Sequence, residues 1–240
     1  MHIWELSVGF FYWSSGVGSR LIPLFLISKY HNEKLLWWIY ALINIGLITF
    51  IISFLYTDIK GVFFLPVAAI LISISLFGYF CYKAYQDRLR KKVDDQLKIS
   101  LLSVLMMLLP FIFLLILISL LLFSVENPRL TLTYGFFMFF GWITAIIFGM
   151  TFKTLPFILW NKTYHSKAGL GKTPNPRELF NNNLFKWMVI AYLAGIILFA
   201  SGILVANEFL LKVAALLLVV AAILYNGNVF KMVMHKPKKV

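Results

Sequence analysis

The feature that most constrains the fold is the recurrence of long apolar runs separated by short polar breaks. A run of about 20 apolar residues is long enough to cross the hydrocarbon core of a bilayer as a helix. Seven runs meet this description, approximately at residues 4–28, 35–56, 62–82, 99–124, 131–160, 185–206 and 209–230. They predict an all-α, polytopic membrane helical bundle of about seven transmembrane helices, which form a single integral membrane domain over residues 1–240.

Composition and charge agree with a membrane protein. Hydrophobic residues make up 61% of the chain and charged residues 13%, whereas soluble domains have about 45–50% and about 25%. The net charge of +13 could indicate a nucleic-acid partner, but the basic residues concentrate in alternate breaks and in the tail. Such alternation is typical of membrane topology. We therefore predict a lipid bilayer as partner, no nucleic acid, an outer N-terminus and a cytoplasmic C-terminus.

Two apolar runs carry the same short motif, which is a glycine, a basic residue four positions later and a proline three positions after that. The motif occurs at Gly16, Arg20 and Pro23 in the first run, and at Gly149, Lys153 and Pro156 in the fifth. Both runs cross in the same direction, so the motif predicts a parallel internal repeat of runs one to three and five to seven. Its halves would be residues 1–98 and 130–240, with the run 99–124 as a linker. The alternative is that both helices merely end at the same interface, where basic residues and prolines are common.

A stripe of small residues marks the fifth run. Gly141, Ala145 and Gly149 are spaced by four and lead to Lys153, so they lie on one face of an α-helix. Small residues at this spacing let two membrane helices approach closely. The stripe predicts a contact with another membrane subunit or self-association. Lys153 and Arg20 either reach the lipid headgroups or point inward at an anion.

Few side chains suggest a cofactor site. His2 lies at the outer edge of the first run, with Glu5 nearly one turn below it, and it is the one candidate for a haem ligand. An ordinary residue near the chain start is the alternative for His2. The other histidines, His31, His165 and His235, fall in polar breaks or the tail and are interpreted as loop residues. We predict no metal site and no catalytic residue.

Asn44 is the most central strong hydrogen-bonding group, at the middle of the second run. We interpret it as a residue that hydrogen-bonds between helices, with a ligand contact as the alternative. The connection 162–183 is the longest that follows a run, and it contains two prolines. Connections of this length are often functional.

Some of these residues resemble a known family. Gly141-Trp142, Gly149, Lys153, Pro156-Phe157 and Trp160 precede a proline-rich loop and Glu178-Leu179. This pattern is similar to part of the haem-copper oxidase subunit I superfamily, which includes bacterial haem- and copper-containing membrane proteins linked to the nitric-oxide response. The segment Gly18-Ser-Arg20-Leu-Ile-Pro23-Leu-Phe resembles a Gly-Gly-Arg-hydrophobic-hydrophobic-Pro-hydrophobic-Phe element of that group. The chain looks like little more than half of a member.

The resemblance implies an oxidase-like fold in the bacterial inner (plasma) membrane. Family members hold haem and copper with histidines on several spans, and here only His2 stands near such a place. Three functions follow as hypotheses. The first is a non-catalytic subunit or accessory protein of a respiratory or nitric-oxide-related membrane complex. The second is a haem-binding redox or nitric-oxide-handling protein. The third is a small-solute transporter that uses Arg20 and Lys153.

Overall fold

The computed structural model describes residues 2–56, 60–89, 94–123, 127–165 and 174–235. Side chains are described throughout these ranges except at residues 2–7, 10, 13, 60 and 121. Within them the chain divides into two compact units, unit 1 (residues 1–143) and unit 2 (residues 144–240). The two units are treated separately below. The boundary falls inside the fifth predicted run, and the single domain and the repeat halves stay predictions.

The described residues form helices joined by short connections, so the predicted all-α class is confirmed. In unit 1 the helices are α1 (His2–Leu26), α2 (Glu33–Tyr56), α3 (Phe64–Gln86), α4 (Asp95–Met106), α5 (Leu108–Leu122) and α6 (Pro128–Phe136), followed by a π-helical segment (Phe137–Ile143). In unit 2 they are α7 (Thr144–Tyr164), α8 (Asn182–Val205) and α9 (Glu208–Val233).

Six helical segments of the described chain are long and apolar enough to cross a membrane. They are Glu33–Tyr56, Gly61–Gln86, Asp95–Leu120, Pro128–Tyr164, Asn182–Val205 and Glu208–Val233. Each corresponds to one predicted run, and the chain is therefore a multi-pass helical membrane protein. Helix α1 covers the first predicted run but is not among these six, so its crossing of the membrane stays a prediction. The same holds for the outer N-terminus and cytoplasmic C-terminus.

The fourth span is interrupted by one residue. Helix α4 ends at Met106 and α5 begins at Leu108, with Met107 between them in a turn. Pro110 explains the interruption, because proline has no backbone N–H and its ring clashes with the carbonyl of the residue four positions earlier, here Met106. The apolar run alone did not predict this break.

The fifth span is longer than predicted and contains the π-helical segment Phe137–Ile143. It extends over 37 residues, Pro128–Tyr164, whereas a crossing needs about 20. Pro156 lies inside α7, which continues to Tyr164. Pro23 likewise lies inside α1, although that helix ends three residues later, at Leu26. Neither proline therefore ends its helix at once.

The end of α1 has a defined cause. The backbone N–H of Ser28 donates to the carbonyl of Pro23 over 2.9 Å, and Ile27 adopts a positive φ of 52°. A left-handed residue just past the helix is a common way to satisfy the last carbonyls, and glycine usually fills that position. Leu89 N–H then donates to the Ile27 carbonyl over 3.2 Å, which ties the end of α1 to the end of α3.

In unit 1, α2 and α3 form a tight antiparallel hairpin. A Cβ added at Gly46 would lie 2.9 Å from Ile70 Cδ1 and 3.2 Å from the carbonyl oxygen of Pro66, so the two helices approach closely at this glycine. The hydroxyl of Ser73, which is fully buried, donates to the carbonyl of Ile39 over 3.0 Å. Helix α1 packs on α2 and α3, and α5 packs on α3 and α6.

In unit 2, α8 and α9 form a second hairpin. A Cβ added at Gly195 would lie 2.9 Å from Leu218 Cδ2 and 3.4 Å from the Ala214 carbonyl oxygen. Helix α8 ends at Val205, and the next residue, Ala206, has a positive φ of 57°. The Asn207 side chain caps the start of α9 by accepting from two backbone N–H groups. Helix α7 packs on α9.

Candidate functional site

The predicted haem ligand cannot be placed by its side chain. His2 and Glu5 both lie in α1, but their side chains lie outside the described residues. The other three histidines have defined positions. His31 lies 3.3 Å from a carboxylate oxygen of Glu33, and His235 Nε2 lies 2.8 Å from the Tyr164 hydroxyl. His165 is exposed.

No group of three or more His, Cys, Asp or Glu side chains could hold a metal ion among the residues that the structure describes. The two described histidine contacts lie at helix ends rather than in a shared cluster. His31 precedes the first residue of α2, and His235 follows the last turn of α9. The polar contact of His31 is with Glu33, and that of His235 is with Tyr164.

The two basic candidates differ in exposure. Arg20 in α1 is exposed, whereas Lys153 in α7 is half-buried. Lys153 therefore approaches the interior of its unit more closely than Arg20 does. A partly buried cation inside an apolar span is expensive, so it is usually paired or faces a functional path.

Asn44 is half-buried, and its amide Nδ2 donates to the Tyr40 carbonyl one turn earlier, over 2.8 Å. This is a bond within α2. In the α2–α3 hairpin the bond between helices comes from Ser73, whose hydroxyl reaches the Ile39 carbonyl. The sequence offered little signal for Ser73, because serine is common in membrane helices and usually bonds to its own helix.

The small-residue stripe is buried. Gly141, Ala145 and Gly149 are all buried, and Ala145 has no exposed surface. Gly141 lies in the π-helical segment, in which backbone bonds reach five residues back rather than four. Residues spaced by four therefore share one helix face only in the α-helical part, from Ala145 onward. Because these residues are buried within the chain, they expose little surface for self-association. The predicted self-association through this stripe therefore stays without support.

Unit 2 holds a polar clamp whose pairing was not predicted from the sequence. Asn228 is fully buried in α9. Its Oδ1 accepts from the Asn181 N–H over 2.8 Å, and its Nδ2 donates to the Asn181 carbonyl over 2.9 Å. The Asn181 side chain in turn caps α8. One asparagine thus fixes the start of the neighbouring helix, and a sequence pattern cannot supply this long-range pairing.

Aromatic side chains fill the interior of unit 2 next to this clamp. Phe152 lies edge-on to Phe185 at 4.9 Å and to Tyr225 at 5.6 Å between ring centroids. Phe148 stacks on Tyr225 at 4.9 Å, and the Tyr225 hydroxyl donates to the Thr151 hydroxyl over 3.2 Å. The connection 162–183, which the sequence marks as a candidate functional loop, is attached to α7 by a hydrogen bond. The Trp160 indole N–H donates to the Pro174 carbonyl over 2.6 Å. The loop residues 166–173 lie outside the described residues.

Unit 1 contains a concave site lined by described residues. It is a cleft of about 150 Å³ between α1 and α2, with Phe77 of α3 at its base. Tyr12 and Tyr40 face each other across it with ring centroids 5.8 Å apart. The side chains of Ser15 and Ser19 also line it. None of these residues was singled out from the sequence, because the composition of α1 shows small and aromatic residues without showing which α2 residues they meet.

Comparison with known proteins adds no family, relative or structural neighbour to these observations. No protein-family model, no curated protein and no solved structure matches this chain.

Proposed function

We propose that the chain is a non-catalytic subunit or accessory protein of a membrane complex, respiratory or related to nitric oxide, with a fold like that of oxidase subunit I. The observation that carries this proposal is the filled interior of each unit. In unit 1, Phe11 lies edge-on to Phe77 at 6.3 Å and to Trp142 at 6.4 Å, and all three are at most 1% exposed. In unit 2 the aromatic cluster around Phe152 fills the interior in the same way. Such close packing holds these side chains in fixed positions.

The outer surface supports a partner within the membrane. In the most apolar stretch of α9 only 11% of residues are buried, and in that of α2 only 17%. Within its own unit, each helix packs mainly on its hairpin neighbour, and most of its residues are not buried. A scaffold that exposes two long apolar helices offers ample area for a helical partner.

The experiment is a measurement of mass and composition. The chain, carrying a C-terminal tag, is extracted from native membranes in mild detergent and separated by size-exclusion chromatography with light scattering. We expect a protein mass well above the 27.7 kDa of the chain and a second polypeptide in a fixed ratio. A monomer that turns over a substrate by itself would contradict the proposal.

The half-buried Lys153 favours one alternative, a small-solute transporter. A transporter would use this cation to attract an anionic solute. The test is solute uptake into proteoliposomes by the Lys153→Ala variant. The matched control is Lys162→Ala, which removes an exposed lysine from the same helix. Uptake that is lost only in Lys153→Ala would establish transport and replace the subunit proposal.

The haem-binding alternative has its own readout. Haem held by His2 would give the purified chain a Soret absorption band, and His2→Ala would remove it. His165→Ala serves as control, because His165 is an exposed histidine at the end of α7. A band that survives both changes would rule out His2 as the axial ligand, and a purified chain without the band would end the haem-binding alternative.

The internal repeat is part of the same proposal, and the two hairpins support it. In each, a glycine of the first helix meets two residues spaced by four on the second, Pro66 and Ile70 for Gly46 and Ala214 and Leu218 for Gly195. In each unit the preceding helix also packs on the second helix of the hairpin, α1 on α3 and α7 on α9. Under this proposal, the oxidase-like relationship reflects two copies of a three-helix element.

A further inference from the structure

The cleft between α1 and α2 exists because the facing side of α1 is small. Gly16 lines the cleft, and a Cβ added there would meet nothing within 4 Å. Ser15 and Ser19, which line it as well, turn their hydroxyls back to their own helix. Ser15 Oγ donates to the Tyr12 carbonyl over 3.0 Å, and Ser19 Oγ donates to the Gly16 carbonyl over 2.8 Å. Helix α2 contributes Ile39 and Ile43 to the lining, so the floor of the cleft is apolar.

A pair of phenol groups forms the rim. Tyr12 is 42% and Tyr40 52% exposed, and their ring centroids lie 5.8 Å apart. Each phenol hydroxyl carries one O–H donor and can also accept hydrogen bonds. Tyr40 lies seven residues into α2, about 10 Å from the helix start at about 1.5 Å per residue. Where a helix surface faces lipid rather than water, a hydroxyl without a partner is costly in free energy.

The volume limits what can enter. A cavity of about 150 Å³ holds a single benzene-sized ring, and the cleft here has about that volume. Phe77, whose side chain is 1% exposed, presents a fixed aromatic wall, because Phe11 packs against it. The cleft therefore combines room for one ring, an apolar floor and a hydroxyl pair at its open side.

We propose that this cleft binds a membrane-dissolved amphiphile with one six-membered ring and a carbonyl oxygen. The ring lies against Ile39, Ile43 and Phe77, and the carbonyl accepts a hydrogen bond from the Tyr12–Tyr40 pair. The cleft shares α2 and Phe77 with the subunit proposal, but the two are tested by different measurements, ligand titration here and protein mass above. A ligand of this class would reach it from the hydrocarbon, since both tyrosines are open to the outside of the chain.

The probe is para-fluoroacetophenone, titrated into the detergent-solubilised full chain and followed by fluorine NMR. Gly16→Leu fills the cleft with a side chain that has space for its Cβ, and Gly9→Leu makes the same change on the same helix at an exposed glycine with equal space. We expect saturable binding to the unaltered chain, at least about a tenfold loss in Gly16→Leu because the pocket is occupied, and less than about twofold change in Gly9→Leu.

The hydrogen bond has a separate test. Tyr40→Phe should weaken binding of the ketone about two- to tenfold and leave binding of para-fluoroethylbenzene, which has no carbonyl, unchanged. The control is Tyr56→Phe, which removes a hydroxyl from an exposed tyrosine at the other end of α2. Equal losses in Gly16→Leu and Gly9→Leu, or no saturable binding to the unaltered chain, would overturn the proposal. So would a change of oligomeric state in Gly16→Leu without any ligand binding, because the cleft would then be a contact between copies.

Discussion

Adding a single methyl group in the α8–α9 hairpin should show how much of the stability of the hairpin depends on close packing rather than on helix propensity. We consider Gly195→Ala. The added Cβ would lie 2.9 Å from Leu218 Cδ2, 3.0 Å from Leu218 Cγ and 3.4 Å from the Ala214 carbonyl oxygen. The first distance is too short for two carbon atoms, so Leu218 must move or the helices must separate.

The magnitude follows from two opposing terms. Replacing glycine by alanine in a helix stabilises the helix by about 1 kcal/mol. Forcing an extra carbon into a packed contact costs about 1–3 kcal/mol. Gly227 in α9 isolates the first term, because a Cβ there would meet nothing within 4 Å and the residue is exposed. The propensity terms cancel in the comparison, so Gly195→Ala should be less stable than Gly227→Ala by about 1–3 kcal/mol.

The assay is reversible unfolding in mixed micelles with increasing sodium dodecyl sulfate, followed by the helical circular dichroism signal. The free energy of unfolding is compared for the unaltered chain and both variants. Gly46→Ala should lose stability as Gly195→Ala does, because its Cβ would lie 2.9 Å from Ile70. If Gly195→Ala proves as stable as Gly227→Ala, the hairpin is not packed as described and the reasoning fails.

Three further outcomes are expected. Asn228→Ala should lower the free energy of unfolding by about 2–3 kcal/mol, because two hydrogen bonds to the Asn181 backbone are lost. The control Asn226→Ala, at an exposed site, should change it by less than about 0.5 kcal/mol. Equal effects of the two substitutions in the same unfolding assay would refute the clamp. Tyr164→Phe should cost about 1 kcal/mol in that assay through the lost contact with His235, and a stability unchanged by this substitution would show that the contact is not formed in the membrane. A fluorescent or phosphatase reporter fused to either terminus should report an outer N-terminus and a cytoplasmic C-terminus, and two termini on the same side would show that the number of crossings is even.

The positions of the helices could be predicted from the sequence, because burial in lipid requires every backbone polar group to be bonded within its own helix. Hydropathy alone therefore locates each span, and the predicted run 35–56 corresponds to the helix Glu33–Tyr56. The details inside the spans depend on single residues. Pro110 breaks the fourth span at Met107, and the π-helical segment before Thr144 shifts the register of the fifth.

The functional side chains were harder to predict, for a physical reason. Candidates were chosen for charge or for central position, as with Lys153 and Asn44. The contacts that the structure reveals depend on which helices are neighbours. Tyr12 meets Tyr40 only because α1 packs on α2, and Asn228 meets Asn181 only because α9 returns beside the start of α8. Apolar runs of similar composition carry no information about such pairings, since lipid-facing and partner-facing surfaces are both apolar.

The central claim is that this chain works as a scaffold beside a partner in the membrane. One chromatographic run on the tagged chain from native membranes, recording mass by light scattering and absorption across the visible range, tests it most directly. We expect a complex heavier than 27.7 kDa with a second polypeptide in a fixed ratio, and no Soret band once the chain is separated from that partner. A lone chain that retains a Soret band of its own would contradict the claim.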